Sequence, residues 1–382
     1  MKTNAPAVDL SAIKKKRFAN LSAKMSEAKL DVIFCTSLRS LAYVGHIYQN
    51  LAWFVNTAVV FPASGEPFLV VPLGDRERVQ KETWIPRVMT WNPAFIDIPE
   101  HKFEDVIMDY IRKNKLEKGN LGIEGNLSWP LHGLLAETFP QAKLVKVDYM
   151  MEECMIIKDD YELGLMRKVA QICTIGFEAA RENVKPGMTE NELAGHMEIA
   201  MRRAGCTGYW VPNQVGTGER VLLDHYPSDA VIQANHFVKV GCHGSYQLYC
   251  GDLCNVMALK KAEPDYVRLA KVVEEAERKT IDAMRPGVKS SHLFSILANY
   301  IADKGYPKAS NWYAGHGLGT GHQRPFISPE DHTELKERMI IVLNPVAQPV
   351  DGANSYINEV MLLVTSNGVD LISKNPIGLT QL

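Results

Sequence analysis

Lys185-Pro186-Gly187-Met188-Thr189-Glu190-Asn191-Glu192-Leu193 opens an amphipathic helical pattern that closes at Ala204-Gly205. One hundred residues further on, Arg285-Pro286-Gly287-Val288 leads through His292-Leu293 and a second such pattern to Lys304-Gly305. In each copy the closing Gly lies nineteen positions after the Pro, and strand-like sequence follows. Spacing preserved that closely predicts duplicated α+β halves meeting at a shared seam, where sites often gather.

Downstream of the second copy runs Ala314-Gly315-His316-Gly317-Leu318-Gly319-Thr320-Gly321-His322-Gln323-Arg324-Pro325. Each glycine inside a helix costs about 1 kcal/mol relative to alanine, so these residues read as a loop or bent strand. Glycines let the backbone approach a ligand closely, and His316 and His322 are left as the sizeable side chains over most of the run.

The chain has 382 residues, enough for two domains and an ample core. Hydrophobic content of 46% and charged content of 23% are ordinary for a soluble globular protein, and a net charge of −2 points to neither nucleic acid nor an anionic membrane. Met1–Arg17 lacks the apolar core of a signal peptide, and no stretch approaches a membrane span, so a cytoplasmic protein is expected. Seven scattered cysteines suit a reducing compartment, and Cys250 and Cys254 read as free thiols because a zinc–cysteine site needs more such ligands.

The first 150 or so residues alternate helical patterns (Phe18–Ala28, His101–Asn114) with short strands (Asp31–Thr36, Leu121–Gly125, Leu144–Asp148) and a hairpin around Ser64-Gly65. An α/β layer domain follows. The absence of a GxGxxG or P-loop after any of these strands excludes nucleotide binding.

Residues from about Met155 to Leu382 resemble the pita-bread domain of the creatinase, prolidase and methionine aminopeptidase superfamily. The resemblance rests on Ile157-Lys-Asp-Asp-Tyr-Glu162, Lys185–Glu190, His225-Tyr-Pro227, Tyr249-Cys-Gly-Asp252, Gly315–Gly319 with His322, and Asn358–Thr365, in that order. It implies an α+β fold: a creatinase/prolidase N-terminal α/β domain over 1–152, then a pseudo-twofold pita-bread domain over 153–382.

The metallopeptidases of this superfamily hold two divalent ions with two Asp, one His and two Glu. Carried over here, the second Asp is Asp252, the His is His316 and the last Glu is Glu359, but Gly241 and Asn344 stand where the other two ligands belong. Four carboxylates balance two divalent cations, whereas Asp252 and Glu359 balance at most one. A mononuclear site from Asp252, His316, Asn344 and Glu359 stays open, and restoring carboxylates at 241 and 344 together is expected to create affinity for Mn or Co.

The expectation drawn from this loss is a metal-independent, creatinase-like hydrolase, without cofactor, of a C–N bond in a small zwitterion. Resemblance to creatinase makes His225 the general base and Glu359 the partner of the substrate cation, with His316, His322 and Asp252 completing the acid/base set. Creatinase differs in having Glu at the Cys254 position and a partner-subunit Arg that Tyr48–Phe54 lacks, so Arg324 is expected to clamp a substrate carboxylate, with Trp53, Trp210 and Tyr249 lining the pocket. His236, His243 and His332 read as solvated surface residues. The alternatives are an Xaa-Pro dipeptidase-like metallopeptidase running on one ion, and a pseudoenzyme that only binds. Enzymes with this N-terminal domain form homodimers, and the apolar run Leu51–Phe54 suits a cap over a partner's site.

Overall fold

The structure, a computed structural model, describes residues 8–48, 56–92, 102–221, 226–306, 313–348 and 355–382. His225, Trp53 and the Leu51–Phe54 run lie outside the described residues. Backbone contacts divide the chain into two units, Met1–Met155 and Ile156–Leu382.

The first unit is built on a six-stranded mixed sheet. Its strands lie in the order Val88–Trp91, Phe68–Pro72, Ala58–Pro62, Val32–Cys35, Asn120–Ile123, Lys143–Lys146, with the predicted hairpin forming the antiparallel pair Ala58–Pro62 and Phe68–Pro72. Side chains alternate across the pleat, so Ile33, Cys35, Val59 and Phe61 enter one core while Val32, Phe34, Val60 and Phe68 enter another on the opposite face. Burial on both faces explains why these strands read as short apolar runs without polar alternation. The predicted helices appear as Leu10–Glu27 and Phe103–Lys113.

The second unit carries the repeat. Helix α1 (Asp160–Asn183) packs with α2 (Glu190–Arg203), and α3 (Pro264–Ala283) packs with α4 (Ser290–Asp303). The two copies match in local backbone conformation: Gly187 and Gly287 have φ of 93° and 87°, and Gly205 and Gly305 have φ of 104° and 93°. These left-handed positions favour glycine, and they set where each second helix starts and stops. Asp159 and Glu162 form a capping box on α1, and Thr189 and Glu192 form another on α2.

Each helix pair is followed by an antiparallel ladder. One pairs β1 (Gln214–Thr217), β2 (Phe237–Cys242) and β3 (Leu253–Ala258); the other pairs β4 (Gly315–Leu318), β5 (His322–Phe326), β6 (Ile340–Leu343) and β7 (Val360–Val364). A bridge between Cys254 and Glu359 joins the two ladders, with Cys254 N–H donating to Glu359 O at 3.2 Å and Glu359 N–H to Cys254 O at 2.9 Å. The seam expected from the repeat is this bridge. All seven cysteines are free and buried, and among the described residues no helix is long and apolar enough to cross a membrane.

The glycine-rich stretch is a bulged strand pair, β4 and β5. Its glycines serve neighbouring strands where ligand approach was expected: a Cβ at Gly315 would collide with the Val342 carbonyl, and one at Gly317 with the Arg324 carbonyl. At Gly319 a Cβ would stand 2.7 Å from Gln323 Oε1, the atom that accepts from buried Lys158 Nζ at 2.6 Å.

Candidate metal centre

Both ladders end at the seam, and the candidate residues occupy their ends. Cys242 pairs with Leu253, so His243 and Asp252 stand opposite each other one step past the last rung. Leu343 pairs with Val360, so Asn344 and Glu359 stand opposite each other in the same way. His316 projects from β4, beside Val342 of β6.

Asp252 is the hub. His243 Nε2 lies 3.3 Å from its Oδ1, His316 Nε2 lies 3.4 Å from its Oδ2, and His322 Nε2 lies 4.0 Å from the same Oδ2. Asp252, His243 and His316 are buried at 4%, 3% and 1% exposure, whereas His322 is exposed. Burial alone would push the Asp252 carboxyl up, but hydrogen bonds from His243 and His316 outweigh it and hold the group well below the usual carboxylate range. His243 shows the reciprocal effect: burial lowers it, and the hydrogen bond and charge of Asp252 raise it overall.

Each buried imidazole is oriented through its other nitrogen. His243 Nδ1 lies 2.9 Å from the Pro212 carbonyl and His316 Nδ1 lies 3.1 Å from the Gly317 carbonyl. A carbonyl only accepts, so Nδ1 carries a proton in both rings, and Nε2 faces a carboxylate oxygen. That pairing requires a cation between nitrogen and oxygen, either a proton on Nε2 or a metal ion.

Two further atoms point the same way. Glu359 Oε2 and Asn344 Oδ1 are buried without a hydrogen-bond partner, an arrangement that costs roughly 1–3 kcal/mol per group unless something binds there. Burial and the Asp252 charge push the Glu359 carboxyl up to about 7, as two carboxylates sharing a pocket require when no cation lies between them. Ligand atoms of His243, Asp252 and Glu359 lie within 4.8 Å of one another, as do those of Asp252, His316 and His322. The two groups share only Asp252; of these, His243, Asp252 and Glu359 bring both carboxylates together, and their charge balances one divalent ion.

Around this cluster, Trp210 donates its indole N–H to the Gly251 carbonyl at 2.9 Å and meets His322 and His243 edge-on, with centroids 4.9 and 6.1 Å apart. Half-buried Arg324 shares the outward face of β5 with His322. Tyr249 is buried with its hydroxyl donating to Glu162 Oε1 at 2.8 Å, which draws it toward α1. Glu190, fully buried, accepts from Thr217 N–H, Arg220 Nε and Ser228 N–H at 2.8 to 3.1 Å, and so anchors the chain on both sides of the segment that carries His225.

His243 corrects the sequence reading, which placed it on the surface. The signal was available: residues two apart on a strand share a face, so a side chain missing at Gly241 can be supplied from position 243.

Two sequence profiles match the chain: the creatinase/prolidase N-terminal domain over residues 17–157 and metallopeptidase family M24 over residues 164–366. An Xaa-Pro dipeptidase from Pyrococcus horikoshii is 29% identical over 284 residues, 73% of this chain and 79% of the relative. That of Pyrococcus furiosus is 25% identical over 363 residues, 94% and 98% of the two chains. Among solved structures, the fold is shared with an Xaa-Pro dipeptidase from Bacillus anthracis (TM-score 0.86, 22% identity, 97% of this chain and 100% of the other). It is also shared with the prolidase of Pyrococcus horikoshii (TM-score 0.83, 24% identity, 94% and 99%).

These matches and the donor set overturn the expectation of a metal-independent, cofactor-free creatinase-like hydrolase. The missing carboxylates at 241 and 344 lower the number of ions the pocket can balance while leaving buried donors that call for one. Two-domain architecture, a seam between duplicated halves and both profile matches converge: the chain belongs to metallopeptidase family M24, hydrolases of carbon–nitrogen bonds, and carries the creatinase/prolidase N-terminal domain.

Proposed function

We propose that the protein is an Xaa-Pro dipeptidase-type metallopeptidase that hydrolyses small peptides at a mononuclear centre. The observation that carries this reading is the pair of unpartnered buried acceptors, Glu359 Oε2 and Asn344 Oδ1, beside an Asp252 carboxylate flanked by two imidazoles. Asp252 and Glu359 would hold the ion, with the Asn344 amide oxygen as a neutral donor. A divalent ion in such a site supplies Lewis-acid polarisation of a carbonyl and lowers the pKa of water.

The chain's own residues supply the rest. His322, exposed and stacked at a tilt on His316 with centroids 3.8 Å apart, stands at the mouth and would pass a proton to the departing amine. Arg324, on the same face, would hold the substrate's terminal carboxylate as a fork. Trp210 would wall the pocket beside both. His225, two residues before Pro227, would act as a second acid/base group.

Free buried thiols support a reducing, cytoplasmic setting, and the N-terminal domain supports a homodimer. Light scattering at micromolar concentration tests the latter, a monomer counting against it. For the activity, the metal-depleted protein is reconstituted with Zn, Co or Mn and assayed on Xaa-Pro dipeptides beside dipeptides lacking proline. Preferential cleavage of the Xaa-Pro bond is expected; no hydrolysis with any of the three ions overturns the reading.

A further inference from the structure

Gly241 occupies the position where a first carboxylate ligand is missing, yet the space beside it is filled. A Cβ built on Gly241 would lie 2.8 Å from His243 Cε1 and 3.4 Å from His243 Nε2, and 3.1 Å from Gln214 Cβ. The imidazole of His243 thus lies over the volume that a side chain at 241 would enter. Position 243 has the same facing as 241, so the replacement requires no change of strand register.

We propose that His243 is a metal ligand that has taken over the place of the carboxylate absent at 241, giving a centre of Asp252, His243 and Glu359, whose ligand atoms lie within 4.8 Å of one another, that binds one borderline-soft divalent ion of the zinc kind in preference to manganese or magnesium. The inference deepens the metallopeptidase reading above and rests on it for the presence of an ion. Its geometry is independent of that reading. His243 Nδ1 is engaged by the Pro212 carbonyl, its backbone N–H by Asn213 Oδ1 at 2.9 Å, and its Nε2 is aimed at Asp252. A histidine held at its backbone N–H and at ring Nδ1 presents Nε2 in a fixed direction, as metal-ligating histidines do.

Ion class follows from the donors. Exchanging a carboxylate for an imidazole removes one negative charge and one hard oxygen, which moves the site away from Mg and Mn and toward Zn, Co or Ni. Asp252 and Glu359 together carry −2, the charge of one divalent ion, so the exchange also accounts for a stoichiometry of one.

The test is metal binding measured by competition with a chromophoric chelator on the full chain, using Zn and Mn salts as probes. The parent is expected to bind one Zn per chain. In His243→Ala the Zn Kd should rise by more than the roughly 10–100-fold that follows loss of a ligand's hydrogen-bond partner. In His243→Asp the Zn Kd should rise while Mn binding is retained or tightened. Because either variant could fail to fold, pulsed EPR of the parent loaded with Cu(II) provides a second readout by counting coordinated imidazoles. One is expected, and it should remain in His316→Ala and in His322→Ala.

No coordinated imidazole, loss of the imidazole in His316→Ala, an unchanged Zn Kd in folded His243→Ala, or two ions per parent chain overturns the proposal. Zn binding that depends on His243 without Xaa-Pro cleavage would sink the dipeptidase reading and leave this one standing. Cleavage with an unaffected Kd in the variant would do the reverse.

Discussion

His243 Nε2 lies 3.3 Å from Asp252 Oδ1, one step beyond Cys242 and Leu253, the last paired residues of their ladder. Strand ends are where the backbone ladder stops constraining side chains, and here that freedom brings a histidine and an aspartate face to face in a buried pocket.

Crowding at Gly241 bears on the expectation that carboxylates at 241 and 344 together create affinity for Mn or Co. With His243 Cε1 2.8 Å from a Cβ at 241, Gly241→Asp should destabilise the fold by about 1–3 kcal/mol, the usual cost of overpacking. Adding His243→Gly vacates the space, so the double variant should recover most of that loss. Urea midpoints of the two variants check this; equal midpoints would show that the ring moves aside freely.

Ion removal should soften the second unit. Binding to the folded state alone stabilises by about 2.7 kcal/mol at a free concentration one hundred times Kd. Chelation should therefore lower the melting temperature, and one equivalent of Zn should restore both it and activity. A melting temperature indifferent to chelator and to Zn contradicts this.

His322 and Arg324 should separate in kinetics. His322 is exposed, so His322→Ala should leave stability within about 0.5 kcal/mol while lowering kcat by about 10²–10⁴-fold, the range for a lost general acid. Arg324→Met should instead raise KM, since a charge-assisted hydrogen bond contributes roughly 1.5–3 kcal/mol, or about 10–100-fold. Steady-state parameters on one Xaa-Pro dipeptide decide between these patterns. Equal losses in kcat and KM for both variants would argue against the division of roles.

Glu277 on α3, which accepts from Asn358 beside Glu359, supplies a pH test. Burial pushes its carboxyl up to about 8, only partly offset by the Asn358 amide that donates to its Oε2 at 2.9 Å. The folded state thus holds a proton that the unfolded chain releases near pH 4.5, so stability should fall as pH rises from about 4.5 through 8. Glu277→Gln removes that dependence. Its advantage over the parent should grow to a few kcal/mol by pH 9, an order-of-magnitude figure from the linkage. Parallel unfolding curves at pH 5 and pH 9 would show that Glu277 ionises normally.

Much of this protein is legible in its residues because the relevant signals are local. The repeat around Pro186 and Pro286 shows because each copy needs its own left-handed glycines, Gly187 with Gly205 and Gly287 with Gly305, to start and stop a helix. The strands of the first unit show because burial on both faces demands unbroken apolar runs. Asp252, His316, Asn344 and Glu359 show because they sit in short motifs of fixed order. What the residues alone did not decide is what fills the gap at Gly241. His243 looks like any histidine between a cysteine and a glycine, and only the tertiary structure puts its ring over the volume beside Gly241 and its Nε2 against Asp252. The number of carboxylates is a property of composition, but the identity of the donors depends on which side chains share a strand face and meet across a seam. That meeting is set by the bridge between Cys254 and Glu359, two residues 105 positions apart.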